Sequence, residues 1–147
     1  MTVISEMLRI EQWLYTIFTA DGTITGIVGN RIYAGVAPKS LATYPYIVFV
    51  PLSPGEDVDG PGAIRIWAAP LYLVKAVTIG TAQSLKTLVD RMEQLLQGAR
   101  GGVADATIQF CKRERPHRMT TIEEPANTTY QHVGGEWRIA ASPLVNP

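Results

Sequence analysis

Apolar residues recur at helical spacing in two parts of the chain and in strand-like runs through most of the rest. In the first part Met7, Ile10, Leu14 and Ile17 form a stripe with Trp13 and Phe18 at its edges, which predicts a helix over residues 5–19 with Ser5 as N-cap. Arg9, Gln12, Thr16 and Thr19 mark its polar side. Leu8 and Tyr15 lie beyond the stripe, seven residues apart. The belt is therefore wider than one packing contact needs, and the surplus suits either a covering loop or a subunit boundary. In the second part Leu85, Leu88, Val89, Met92, Leu95 and Leu96 fall on one narrow arc, with polar residues around the remainder. This second helix packs on a single surface. Thr81 or Ser84 suits its start and Gly98 its stop.

Between the helices, residues 20–30 read as a connection with a possible helical turn carrying Ile24, Ile27 and Val28. A short strand over 31–37 ends at Pro38, and a dense β-former run, YIVFVPL, spans 46–52. Pro51 cannot donate to a ladder there. Residues 53–62, SPGEDVDGPG, hold two prolines, three glycines and three acids, and predict an exposed, mobile loop in which Glu56, Asp57 and Asp59 are candidate partner contacts. Strands follow over 63–69 and 71–79. The second is apolar on both faces apart from Lys75, as a central strand would be, or an edge strand buried by a neighbouring subunit. On the latter reading Tyr72 and Val74 join Leu8 and Tyr15 as candidate subunit-interface residues. A strand over 104–111 runs into a polar segment, KRERPHR, and two last strands, 128–133 and 136–141, flank a Gly134-Gly135 hairpin turn. Helix, strands, helix, strands lacks the alternation of a parallel α/β fold. It predicts one α+β domain over residues 1–147, with two principal helices packed on one face of a mainly antiparallel or mixed sheet.

Charge changes this picture little: thirteen basic and thirteen acidic side chains cancel, which argues against affinity built on neutralising many phosphates. Cys111 is the one cysteine, so no intrachain disulfide forms. The first residues lack the basic and long apolar segments of a signal peptide, and no window approaches a membrane span, so synthesis in the cytoplasm is expected.

Chemistry is sparse. His117 and His132, the two histidines, sit in no metal-ligand spacing. No serine occupies a Gly-x-Ser-x-Gly turn, no glycine run precedes a Lys-Ser/Thr pair, and Cys111 reads as a small hydrophobe in a strand. The expectation is a protein with no catalytic residues, no cofactor and no metal. The cluster Lys112, Arg113, Arg115 and Arg118, against Glu114, is a candidate charged contact for a protein partner or for phosphates, or a plain solvated strand end. Without interleaved aromatics it does not predict sequence-specific nucleic-acid recognition.

In order and spacing, the N-terminal helix, GIVGNRIYAGVAP at 26–38, YPYIVF at 44–49, the strands around 66–69, the helix carrying LVDRMEQLL at 88–96 and the late strand leading to arginines resemble the tail-terminator (tail-completion, head–tail joining) proteins of long-tailed bacteriophages. The resemblance implies a structural virion protein at the head-proximal end of the tail. It implies a ring, usually of six subunits, that stops tube polymerisation, and partners that are further copies of itself, the tail tube protein and a head–tail connector or stopper protein. DNA would pass through the lumen without specific recognition. Alternatives are another neck or tail component, or a generic protein- or nucleic-acid-binding module using residues 112–118.

Overall fold

The computed structural model describes residues 5–38, 43–103, 105–123 and 126–143, with backbone alone at 56, 58, 60 and 63–66. Helix α1 (Glu6–Thr19) begins where the Ser5 hydroxyl accepts from the Leu8 amide at 3.4 Å. A short α2 (Gly22–Val28) is capped by Asp21, whose carboxylate accepts from Ile24 N at 3.1 Å. Helix α3 (Lys86–Leu96) follows a 3-10 turn over Ala82–Leu85. Neither Thr81 nor Ser84 caps α3 through its side chain; the Ser84 hydroxyl donates to the Thr81 carbonyl within the preceding turn. Gly98, at φ +71°, stops the helix, as its position predicts.

Six strands complete the fold: β1 (Ile32–Ala34), β2 (Tyr46–Gly60), β3 (Ile64–Ile79), β4 (Gly101–Val103), β5 (Ala106–Glu123) and β6 (Thr128–Pro143). They form one curled sheet in the order β1-β2-β3-β6-β5-β4, antiparallel except for the β1–β2 pair. The architecture is α+β, as the hydrophobic pattern predicts.

One core fills the space between the helices and a single sheet face. Ile10, Trp13, Leu14 and Phe18 of α1, Ile24 and Val28 of α2, and Leu88, Met92 and Leu96 of α3 meet Ile47, Phe49, Tyr72, Val74, Ala76, Ile108, Trp137 and Ile139 of the strands. The apolar burial of these side chains is the main stabilising term. Ion pairs then pin the helices in place. Arg9 of α1 donates to both oxygens of Asp105, at 2.6 and 3.1 Å, and Arg91 of α3 donates through Nε to the α2 cap Asp21 at 3.0 Å.

Four segments differ from the sequence expectation, all for one reason: strands run through residues that read as punctuation. The two strands expected over 63–69 and 71–79 form the single β3 through Pro70. Residues 53–60, expected as a mobile loop, are the outer half of β2 and pair with β3 as far as Gly60 opposite Ile64. The prolines are tolerated because β1 covers β2 only at residues 47–49, so Pro51 and Pro54 lie where the outer edge is open. Register shifts on both sides of Ser53 absorb the irregular stretch. Residues 112–118 lie within β5 rather than at its end. Gly134-Gly135, expected as a turn, sits in the middle of a continuous β6, buried between β3 and β5. A Cβ on Gly134 would stand 2.1 Å from the Val74 carbonyl oxygen and 2.6 Å from Lys75 Cα. The glycine permits close strand approach there, not a reversal of the chain.

Candidate assembly surfaces

On α1 Ile10 and Leu14 of the stripe are fully buried and Met7 and Ile17 partly so, whereas Leu8 and Tyr15 stay 60% and 47% exposed. Seven residues separate them, so they share the outward side of the helix. Tyr72 and Val74, expected alongside them at a subunit boundary, lie elsewhere. Both are completely buried beneath α1, and the Tyr72 hydroxyl donates to the Met7 carbonyl at 3.2 Å and to Glu11 Oε2 at 3.0 Å. They have no surface to offer a second chain, because β3 is a central strand and one of its faces is core. Burial, followed by the nearby Glu11 carboxylate, holds the Tyr72 hydroxyl in its neutral, donating form.

The acidic residues lie along the β2–β3 hairpin arm. Glu56 is opposite Ala69, Asp57 opposite Ala68 and Asp59 opposite Arg65, and the Asp57 and Asp59 side chains are exposed. Where the arm joins the core, Gly55 (φ +71°) crosses Ala69 so closely that a Cβ would lie 2.0 Å from its carbonyl oxygen. Arg138 on β6 donates to that same Ala69 oxygen at 3.0 Å and forks onto Glu114 at 2.9 and 3.3 Å. The guanidinium thereby ties β3 to the β5 bulge, and its hydrogen bond holds the Glu114 carboxyl below its usual range.

The four cations of the basic segment do not form one patch. β5 alternates, so they divide between the two sheet faces around the register shift at 113/115. Arg113 points to the helix side and pairs with Glu93 of α3 at 2.7 Å. Arg115 faces the other way and pairs with Glu136 at 3.2 Å. Lys112 lies over the Phe110 ring at 5.9 Å, and Arg118 donates to the Met119 carbonyl and the Thr120 hydroxyl. Lys112 and Arg118 are thus the members of the cluster without a carboxylate partner among the described residues.

The helix-free face carries a group that the sequence pattern does not bring together. Lys75, Gly134 and His117 stand in one cross-strand row, and Val77, His132 and Met119 in the next. Gly134 leaves room for the side chains on both sides of it. His132 Nε2 meets the Thr121 hydroxyl at 2.9 Å, while His132 Nδ1 and His117 Nε2 are buried without a hydrogen-bond partner. Burial, then Lys75, His117 and Arg118, pushes His132 down to about 4. His117 is lowered by burial and Lys75 against the pull of Glu136, and Lys75 is lowered by burial. The one sequence signal for this group is Lys75 itself, the single charge in an apolar strand.

At the end of the sheet, the Tyr44 ring lies tilted against those of Tyr46 and Tyr130 at centroid distances of 5.7 and 5.9 Å, beside a groove of about 440 Å³ whose wall also includes Glu123 and His132. Cys111 is buried, which pushes its thiol up to about 12 and leaves no thiolate at neutral pH. Among the described residues no three of His, Cys, Asp and Glu gather as a metal site, and no helix is long and apolar enough to cross a membrane.

No protein-family model and no curated protein matches the sequence. Among solved structures, a chain from the virion of a native gene transfer agent particle superimposes with a TM-score of 0.69. The superposition spans 94% of this chain and 99% of that one, at 14% sequence identity. The two chains share a fold from end to end.

Proposed function

We propose that this protein is a non-catalytic structural component of a phage-like virion, and that it acts as a ring at the head-proximal end of the tail. The observation that carries the reading is the whole-chain fold match to a virion component, in which almost nothing of either chain is left over. The ordered sequence resemblance to tail terminators points to the same kind of particle and supplies the finer role. On that reading the ring meets the tail tube on one side and a connector or stopper protein on the other, and DNA passes through its centre.

The surfaces fit a subunit better than a nucleic-acid binder. Ion pairs inside the protein occupy Arg113 and Arg115, the centre of the basic segment, and the segment is split between two faces. Apolar side chains stand outward on α1, on the β2–β3 arm and on β5: Leu8, Tyr15, Leu52, Met119 and Ile122. Light scattering on the purified protein, alone and mixed with tail-tube protein, tests the proposal directly. The expected result is a discrete closed oligomer with a central hole in negative-stain images. A monomer at every concentration, with and without tube protein, would overturn it.

A further inference from the structure

Two edges of the sheet are open within the protomer. On one side β1 covers β2 only at residues 47–49, which leaves 50–60 with β3 as sole strand partner among the described residues. On the other side β4 covers β5 only at residues 106–108, and the Gly98 amide takes the Cys111 carbonyl at 3.0 Å. From residue 112 to 123 the outer side of β5 has no strand against it among the described residues. Unpaired edges of this length invite pairing with another chain.

We propose that the acidic β2–β3 arm of one copy docks on the open β5 edge of the next, joining copies head to tail; this rests on the ring reading and names the contact that builds the ring. Three observations converge on a second copy as the occupant. First, the two edges lie on opposite sides of one sheet, so each copy presents one donor edge and one acceptor edge. Such a contact is heterologous and closes into a ring when its rotation permits. Second, β2 is antiparallel to β3, β3 to β6 and β6 to β5, so β2 and β5 run in opposite directions. The row through Pro51, Tyr72, Trp137 and Arg113 puts the open parts of β2 and β5 toward opposite ends of the sheet. A ring axis inclined to the strands, as in a barrel, therefore sets the β5 edge of one copy antiparallel to the β2 arm of the next. Third, the charges are opposite. The arm contributes Glu56, Asp57 and Asp59, against Arg65 alone, and the β5 edge offers Lys112 and Arg118, the cations left without a carboxylate partner among the described residues.

Exposed apolar side chains accompany both edges, Leu52 on the arm and Met119 and Ile122 on β5. Pro51, Pro54 and the register shifts break the β2 edge into short pieces. That prevents one long indiscriminate ladder and leaves charge to select the partner and its register.

The test is a charge exchange read by light scattering at several protein concentrations, with circular dichroism to confirm folding. Asp57→Lys/Asp59→Lys makes an arm that repels the β5 edge, and Lys112→Glu/Arg118→Glu makes an edge that repels the arm. Each double variant alone is expected to associate roughly tenfold or more weakly than wild type. An equal mixture of the two restores association, because each supplies the surface that fits the other. Wild-type association in both variants, or loss without rescue in the mixture, overturns the edge contact while leaving a ring standing. A wild type that never associates overturns the ring and the contact together.

Discussion

At the scale of single residues, Gly134 and Gly135 look alike in sequence and do different work. A methyl group on Gly134 meets backbone of β3, which has nowhere to go without opening the β3–β6 ladder. On Gly135 it meets Arg113 Cδ at 2.9 Å and the Trp137 ring nitrogen at 3.0 Å, and the arginine stem is free to swing. Gly134→Ala is therefore expected to cost about 2–3 kcal/mol and Gly135→Ala less than about 1.5 kcal/mol, in chemical denaturation of the two variants side by side. Equal costs would mean that the close approach of β3 to β6 does not decide the glycine. A second residue-scale consequence concerns His132. Its folded pKa, about 4, lies below the ordinary 6.5, so the folded state favours the neutral ring. Stability from this group is complete above about pH 6.5 and drains away as pH falls from there through about 4, because the unfolded chain takes up the proton first. The ring is only partly shielded from water, so the loss is on the order of 1–2 kcal/mol rather than the full linkage value. Denaturation profiles collected across this range should slope downward toward acid for wild type and less steeply for His132→Gln, in which His117, also lowered by burial, still titrates. The paired carboxylates Asp21 and Asp105, lowered from 3.8 by their arginines, add losses only in more acidic solution, which separates the two effects.

At the scale of elements, α1 is held on the sheet by an apolar stripe and by a polar tie, the Tyr72 hydroxyl with its two acceptors on α1. Tyr72→Phe keeps the ring and removes the tie. The expected loss is about 1–2 kcal/mol, at the upper side for a neutral donor because one acceptor is a carboxylate, and equilibrium unfolding measures it. The helices were legible because a 3.6-residue period sustained over eleven or fourteen residues fits neither a strand nor a turn. The strands were legible as strands but not in their lengths. Prolines, glycines and acids at 53–62, and the glycine pair at 134–135, carry turn signals at short range. What overrides those signals is pairing with partners far along the chain, Ile64–Ile79 for the arm and both neighbours for β6. The candidate surfaces followed the same rule. Leu8 and Tyr15 could be placed outward from helix geometry alone, whereas Tyr72 and Val74 needed the strand order to show which face of β3 meets the helices. The division of the basic segment between two faces needed the β5 register shift, which no local pattern announces.

At the scale of the molecule, the outward surfaces differ in their physics, and that difference can be read experimentally. The arm and the β5 edge carry opposite charges, so association through them should weaken as salt rises. Leu8 and Tyr15 on α1 are apolar, so a contact built on them should hold in salt. Neither side chain supports the protomer: both are exposed, and Leu8→Lys/Tyr15→Lys should leave monomer stability within about 0.5 kcal/mol per site. If copies bury them, each loses a burial term of about 1.5–3 kcal/mol, equivalent to roughly ten- to a hundredfold in association constant. Sedimentation of this double variant beside wild type, each at low and high salt, therefore resolves the assembly. A variant that dissociates at both salt concentrations, where wild type persists, puts α1 between copies. Unchanged association at low salt leaves α1 facing solvent or a different partner, and assigns the copy-to-copy contact to the charged edges alone.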